Sequence, residues 1–217
     1  MAVTTADVYE WGDYIAEEFV FADFPPGSRV LDVGFGGAEQ LRRLRRLGHR
    51  PVGIELDSDL AARGRRYGLA VCRAQAEYLP FATASMDGVV CKVVIPYTDD
   101  ARAVAEIARV LRPGATARIS YHGAGYFLRY LVADRNWKLR LYGLRTLLNT
   151  AVYACTGRRL QGFWGDTLFQ SERRLRRYYA ASGLELVDSC PAPRYGGAPV
   201  FIYHVLRRTD DRLRHMA

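Results

Sequence analysis

The chain has 217 residues and a formal net charge of +8 at pH 7, and its length suits one folded domain. Hydrophobic residues make up 49% of it and charged residues 25%, a composition that excludes a disordered or collagen-like chain. The sequence shows neither a signal-like start nor an apolar run long enough to cross a membrane, so we expect a cytoplasmic protein.

From Arg29 onward, short apolar runs alternate with amphipathic stretches, which is typical of a sheet with helices on its faces. The predicted strands are Arg29–Val33, Pro51–Glu55, Leu69–Arg73, Met86–Val94, Thr116–Tyr121, Leu184–Ser189 and Val200–Leu206. The predicted helices between them are Ala38–Leu47, Asp59–Tyr67, Ala101–Leu111 and Ser171–Ser182. The sequence therefore predicts a single α/β domain over residues 1–217, with a seven-stranded and mostly parallel sheet.

The sequence after Gly123 departs from this alternation. Two helices and a loop are predicted there, at Tyr126–Ala133, Trp137–Cys155 and Gly157–Asp166. We interpret residues 123–170 as a helical insertion after the fifth strand, because the segment is too short to fold alone. The basic excess of the chain also lies in this region, since residues 123–180 hold eleven Lys and Arg against three Asp and Glu.

A glycine-rich turn follows the first strand, in the order Asp32-Val33-Gly34-Phe35-Gly36-Gly37. Glycines let the backbone turn sharply and lie against a ligand with no side chain between them. The third glycine of a dinucleotide-binding motif is replaced by Glu39, a poor neighbour for a pyrophosphate. The turn and the alternation together predict a Rossmann-like domain that binds a different ligand from NAD or FAD.

A second acid, Glu55, ends the second strand about twenty residues after the turn. An acid at this place accepts hydrogen bonds from both ribose hydroxyls of an adenosine. A solvated charge at a strand end is the alternative interpretation. The distance from the glycine turn favours the ribose role.

Two further segments complete a pattern: Ala74-Gln75-Ala76-Glu77-Tyr78-Leu79-Pro80-Phe81 and Glu106-Ile107-Ala108-Arg109-Val110-Leu111-Arg112-Pro113-Gly114. With the turn and Glu55 they resemble, in order, the motifs of class I S-adenosylmethionine-dependent methyltransferases, in particular the ubiquinone/menaquinone-type family. The similarity covers about Arg29 to Tyr121. It implies S-adenosylmethionine as cofactor and methyl transfer to an O, N or C atom of a small-molecule acceptor.

The resemblance implies a set of cofactor-binding residues: Asp32, Gly34, Phe35, Gly36, Glu55, Leu56, Gln75, Ala76 and Cys91. In this set Asp32 would hold the glycine turn or reach the cofactor amine through water, and Leu56 would pack on the adenine. Cys91, with Lys92, would lie under the methionine portion. The family usually has an aspartate at Gln75, whose amide oxygen can still accept a hydrogen bond from the adenine amine.

The catalytic candidate is His122, which ends the fifth strand at the carboxyl edge where open α/β sheets bind ligands. An oxygen or nitrogen nucleophile must lose a proton, and a histidine there can take it. A strand-end histidine bonded to backbone is the alternative. Neighbouring Tyr121 should point to the opposite face. Tyr97 lies near a position where the family often has histidine.

Aromatic and basic side chains of the predicted lid, residues 123–170, and of a predicted helical segment, residues 1–27, are candidates for acceptor binding. We assign this role to Tyr14, Tyr97, Tyr126 and Arg129. Such residues suit an aromatic, anionic or lipid-like acceptor. The alternative is a helical cap whose aromatic side chains pack on the sheet while its arginines are solvated.

Other functions stay open at this point. The basic insertion would suit an RNA methyltransferase, although the run Cys91-Lys92-Val93-Val94-Ile95-Pro96-Tyr97 lacks the Asn-Pro-Pro-Tyr-like motif of base-N-methylating enzymes. A non-catalytic cofactor-binding partner protein and a peripheral membrane enzyme are further possibilities. Lys92 and Lys138 are the only lysines among 31 basic residues, so arginine-rich composition alone also explains the charge. The sequence indicates no oligomeric state.

The cysteines and histidines indicate no second site. The four residues of each type are dispersed along the chain, without the close spacing of a zinc or redox motif. We therefore predict no metal site, and cysteines that serve as small buried hydrophobic residues.

Overall fold

The computed structural model describes residues 19–165, 167–190 and 192–210. Nine strands lie within these ranges: β1 (Arg29–Val33), β2 (Arg50–Glu55), β3 (Val71–Arg73), β4 (Met86–Lys92), β5 (Leu111–His122), β6 (Leu184–Cys190), β7 (Arg194–Tyr195), β8 (Ala198–Pro199) and β9 (Phe201–Arg208). Seven form one sheet in the order β3-β2-β1-β4-β5-β9-β6, while β7 and β8 form a separate hairpin that the sequence analysis missed. Neighbours among β1 to β5 are parallel, and β9 is antiparallel to β5 and β6. The predicted seven-stranded, mostly parallel sheet is confirmed.

The helices of the described chain are α1 (Glu39–Arg46), α2 (Ser58–Arg66), α3 (Asp100–Val110), α4 (Ala124–Ala133), α5 (Trp137–Thr156) and α6 (Glu172–Ser182). Short 3₁₀ turns lie at Ile95–Tyr97 and Gly162–Trp164. Local capping explains several ends. The Asp57 side chain accepts hydrogen bonds from two backbone N–H groups at the start of α2. The Asn136 side chain accepts one such bond, from the Lys138 N–H, at the start of α5, and α5 ends at Gly157, whose φ is +69°.

The core lies on both faces of the sheet, as the alternation of side chains along each strand requires. On β4, Val89 packs into the cluster under α3 and α6, while Val90 packs into the cluster shared with α4. On β9, Ile202 and Tyr203 are divided in the same way. One face is thus a conventional helix-covered core, and the other carries the insertion.

Tyr121 and His122 lie on opposite faces of β5. The Tyr179 hydroxyl donates to the Tyr121 hydroxyl at 2.9 Å and lies 2.8 Å from His204 Nδ1. His204 Nε2 in turn lies 3.1 Å from Glu172 Oε1. These linked hydrogen bonds give partners to polar groups that are buried in the core on the α6 side of the sheet. A buried polar group without a partner would lower the stability of the fold.

The insertion is fastened to the end of the sheet. Within it, the buried Asn149 amide donates to the Thr167 carbonyl at 2.8 Å and accepts from the Leu160 N–H at 2.9 Å. Where the chain leaves the insertion, the Gln170 N–H donates to the His122 carbonyl at 2.8 Å. The two helices predicted there are present, and these bonds hold them over the carboxyl ends of the strands.

Of the predicted N-terminal helical segment, residues 1–27, the structure describes only the end. Residues 19–27 form turns and irregular backbone, and Pro25-Pro26-Gly27 is unsuited to helix formation. Phe21 from this segment packs into the cluster on the α4 side of the sheet. Residues 1–18, which include Tyr14, lie outside the described residues.

Candidate active site

Two adjoining cavities lie at the carboxyl ends of β1, β2, β4 and β5, the edge at which open α/β sheets bind ligands. The smaller has a volume of about 480 Å³ and the larger about 720 Å³. Gly34, Val93 and Tyr97 line both. Two ligands, one in each cavity, would therefore meet at the turn after β1.

The turn after β1 requires glycine. Gly34 and Gly36 have φ angles of +69° and +48°, in the left-handed region that favours glycine. A Cβ atom on Gly34 would lie 2.3 Å from Cγ2 of Val94, so the position is also too crowded for a side chain. The Gly34 N–H donates to the Ile54 carbonyl at 2.9 Å, which ties the turn to β2.

Glu55 holds the same turn from the end of β2. Its Oε2 accepts a hydrogen bond from the Gly36 N–H at 3.0 Å, and its Oε1 accepts from the Leu56 and Asp57 N–H groups at 2.8 and 3.3 Å. Glu55 and Ile54 of β2 thus hold the turn, which is the first of the two roles predicted for Asp32. The carboxylate also lines the smaller cavity.

The smaller cavity combines the predicted adenosine-binding residues. Leu56, Gln75 and Ala76 line it together with Glu55. Sequence reasoning missed Arg102, whose guanidinium lies 4.7 Å from the centroid of the Tyr78 ring at the same cavity. No short motif could have shown this pair, because α3 brings Arg102 to the loop after β3.

Asp32 is a buried carboxyl group on the wall of the larger cavity. Its Oδ2 atom has no hydrogen-bond partner within the described residues. Burial raises the pKa of Asp32 to about 7, although the charge of Lys92 acts in the opposite direction. An unpaired acid in this position is suited to a cationic group placed in the cavity.

The larger cavity has an aromatic wall. Besides His122, six aromatic side chains line it: Phe21, Phe35, Tyr97, Tyr126, Phe201 and Tyr203. Lys92 is on the same wall, with Nζ 5.2 Å from the centroid of the Phe21 ring. Sequence reasoning missed Phe201 and Tyr203, although alternation along β9 could have placed both on the face of His122 (they pair with His122 and Ser120 of β5).

His122 is buried at the end of β5 and lines the larger cavity. Its ring stacks on Tyr126 at a centroid distance of 3.8 Å and an angle of 9°. Its Nδ1 atom has no hydrogen-bond partner in the part of the chain that the structure describes. Burial lowers the pKa of His122 to about 3, so the imidazole is neutral at physiological pH.

Val93 separates the two cavities in a strained conformation. Its φ of +57° is rare for a β-branched residue and ends β4 at Lys92, two residues before the predicted end. The Val93 N–H donates to the Ser120 carbonyl at 3.0 Å, which holds this backbone in place. Backbone strain of this kind is found at binding sites more than elsewhere.

Three predicted site residues differ from expectation. The Cys91 side chain points into the core and lines neither cavity, because alternation along β4 gives the cavity position to Lys92. Burial raises the pKa of Cys91 to about 12. Arg129 also lines neither cavity, and its guanidinium lies 5.5 Å from the Tyr130 ring centroid. Phe35 lines the larger cavity, but it is buried in an apolar cluster with Leu41.

Comparisons with known proteins agree with this geometry. Residues 31–119 match the methyltransferase domain family. An uncharacterized protein of Mycobacterium tuberculosis is 31% identical over 157 residues, which are 64% of this chain and 57% of that protein. A ubiquinone biosynthesis O-methyltransferase of Hahella chejuensis is 37% identical over 98 residues, 42% of this chain and 41% of the relative. The chain thus spans about half the length of the curated relatives it matches.

The fold is also that of solved structures. A crystal structure of an S-adenosylmethionine-dependent methyltransferase from Mesorhizobium loti superimposes with a TM-score of 0.63 at 18% identity, covering 84% of this chain and 92% of that one. At this identity the likeness concerns the fold. Within the described residues, no cluster of three or more His, Cys, Asp or Glu is placed to hold a metal ion.

We predict that Gly34→Ala is destabilising, because the new Cβ meets Val94 and the φ angle is unfavourable for alanine. The free energy of unfolding should fall by about 2–4 kcal/mol, as measured by urea denaturation. Gly37→Ala is the matched control, since a Cβ there meets nothing within 4 Å and its φ is not positive. Equal stabilities of the two variants would contradict the crowding of Gly34.

We predict that Asp32→Asn raises stability at pH 8. The folded-state pKa of about 7 lies above the unfolded value of about 3.9, so between these values the native state binds more protons and loses stability as pH rises. The free energy of unfolding of the variant minus that of the parent should increase by about 1–3 kcal/mol between pH 4 and pH 8. Urea denaturation of both proteins at the two pH values measures it, and a pH-independent difference would refute a buried acid.

Proposed function

Residues 31–119 form a class I S-adenosylmethionine-dependent methyltransferase domain, and on this premise we propose that the chain methylates a small aromatic acceptor bearing an anionic group. One observation carries the proposal: the two cavities join at Gly34, Val93 and Tyr97. The adenosine part of a donor in the smaller cavity would let its methionine part pass this junction to Asp32, and an acceptor in the rest of the larger cavity would meet the methyl group in line. Such positioning supplies several kcal/mol of catalysis.

The residues present fit S-adenosylmethionine. The turn at Gly34 has no side chain to exclude a ligand, and the Oδ2 atom of Asp32 is buried without a partner. In our proposal Asp32 binds the cofactor ammonium group, and Glu55 accepts hydrogen bonds from the ribose. A carboxylate has about four acceptor sites, so Glu55 has capacity beyond its three backbone partners. Leu56, Gln75 and Ala76 border the adenine.

When bound, S-adenosylmethionine supplies a methyl group on a sulfonium, and the positive charge is lost as the acceptor atom attacks. Two side chains, His122 and Lys92, orient the acceptor in this proposal. Neutral His122 accepts a hydrogen bond from the acceptor hydroxyl and orients it. Burial makes the imidazole a weak base, but the hydroxyl becomes strongly acidic as its oxygen forms the new bond, so its proton then passes to His122. Lys92 pairs with the acceptor anion, and the aromatic wall excludes water.

We expect saturable binding of S-adenosylmethionine and S-adenosylhomocysteine in isothermal titration calorimetry. Glu55→Ala should weaken both about 10- to 100-fold, because hydrogen bonds to a charged group are lost and the glycine turn is released. Glu185→Ala is the matched control, since this exposed glutamate lies on β6 at the far side of the sheet. A well-folded parent that binds neither ligand would overturn the proposal.

We expect methyl transfer from radiolabelled S-adenosylmethionine to 3,4-dihydroxybenzoate, with catechol, which lacks the carboxylate, a poorer acceptor. His122→Gln should lower kcat about 100-fold with cofactor affinity unchanged. The pH profiles of kcat for the parent and the variant should have the same shape around pH 6.5. Burial keeps the pKa of His122 near 3, so this histidine does not change its charge there. His49→Gln, a buried histidine that lines neither cavity, is the control. Equal kcat for His122→Gln and the parent would remove the proton-acceptor role.

A further inference from the structure

The outer surface of α5 carries an apolar stripe. Trp137, Leu144 and Leu148 are 66%, 38% and 45% exposed. Side chains spaced alternately four and three residues apart lie along one line of a helix. The positions on this line are Trp137, Leu141, Leu144, Leu148, Ala151 and Cys155.

The inner surface of α5 packs on the rest of the chain through both apolar and polar side chains, and Leu139 and Tyr142 lie partly buried against the cluster on the α4 side of the sheet. Thr146, Asn149 and Thr150 are all buried on this side. Asn149 bonds to the Thr167 carbonyl, and each threonine hydroxyl donates to the backbone carbonyl four residues earlier, at 2.9 and 2.8 Å. A surface helix normally presents polar residues on its outer side, so a line of exposed apolar side chains there is unusual. The packing of this chain therefore does not account for the outer stripe.

Further exposed apolar side chains lie next to the stripe. Phe163 and Trp164 project from the 3₁₀ turn after α5. The Arg145 guanidinium joins this turn to α5, since it lies 4.4 Å from the Phe163 ring centroid and donates to the Phe163 carbonyl at 2.6 Å. An apolar area of this extent, rimmed by polar residues, is typical of a protein or membrane contact.

The charge of this region distinguishes between these two contacts. Residues 135–165 contain no acid and six bases: Arg135, Lys138, Arg140, Arg145, Arg158 and Arg159. On α5, Lys138 and Arg140 are exposed and flank the stripe on its two sides. Packing of this face on a second copy would bring like charges together, which disfavours it. An anionic phospholipid surface is complementary in both charge and polarity.

We propose that the outer face of α5 binds an anionic phospholipid surface. The helix lies in the plane of the interface, with the stripe in the outer acyl region, Trp137 at headgroup level and the bases among lipid phosphates. No helix in the described ranges is long and apolar enough to span a bilayer. On its inner side α5 reaches the cavities, since the Tyr142 hydroxyl lies 3.2 Å from the Tyr97 hydroxyl. The acceptor cavity thus lies close beneath the bound surface.

Vesicle flotation of the full chain tests this. The protein should float with vesicles of equal parts phosphatidylcholine and phosphatidylglycerol at least about tenfold more than with phosphatidylcholine alone, and less at high salt. Leu144→Glu/Leu148→Glu should reduce flotation at least about tenfold, because charges in the apolar stripe oppose burial. Lys138→Gln/Arg140→Gln should weaken binding to the anionic vesicles selectively.

Leu47→Glu/Tyr67→Glu is the matched control. These side chains are also exposed and apolar, but they lie at the ends of α1 and α2, and their replacement should leave flotation unchanged. All variants should bind S-adenosylmethionine like the parent, so a failure of the proposed function is recorded separately from a failure of membrane binding.

Four outcomes would overturn the proposal, the last of them the binding of RNA. The first is no flotation of the parent, or flotation that does not depend on lipid charge. The second is a stripe variant that floats as well as the parent. The third is a parent protein that is a dimer in light scattering and does not bind vesicles, with Leu144→Glu/Leu148→Glu converting the dimer to a monomer. This result would assign the stripe to a second copy. Binding of a labelled RNA in place of vesicles, lost in Lys138→Gln/Arg140→Gln, would assign the bases to nucleic acid.

Discussion

The hydrogen bond from the Gly36 N–H to the Glu55 carboxylate, at 3.0 Å, sets the shape of the site. It joins the turn after β1 to the end of β2, and the Gly34 N–H adds a second connection to the same strand. Because Gly34 lines both cavities, any movement of the turn would change the two together. Glycine at position 34 is the only residue that fits both the backbone angle and the contact with Val94.

Burial controls the ionisable groups around the larger cavity. The pKa of Asp32 rises and that of His122 falls for the same reason, since removal from water disfavours each charged form. Without a ligand both groups therefore tend toward neutrality, and the exposed charges that line this cavity are Lys92 and Glu39. A water-poor site with few charges suits a reaction in which a positive charge disappears.

The insertion has two separate tasks in this account. Through α4 and the inner side of α5 it completes the acceptor cavity, with Tyr126 stacked on His122 and Tyr142 near Tyr97. The exposed line of Trp137, Leu144 and Leu148 lies on the other side of α5. In our proposal this one helix therefore has a side that serves the reaction and a side that binds a surface.

The sequence alone determined the alternation of strands and helices, the glycine turn and the acid at Glu55, because each depends on residues close together in the chain. These local patterns were sufficient for the fold and for the part of the site that we propose for adenosine. The tertiary structure decided the part that we propose for the acceptor, since Phe201 of β9 and His122 of β5 are far apart in sequence and meet only through antiparallel pairing. It also decided that Lys92 and not Cys91 lines the cavity, because the direction of a strand's side chains depends on which face its neighbours cover.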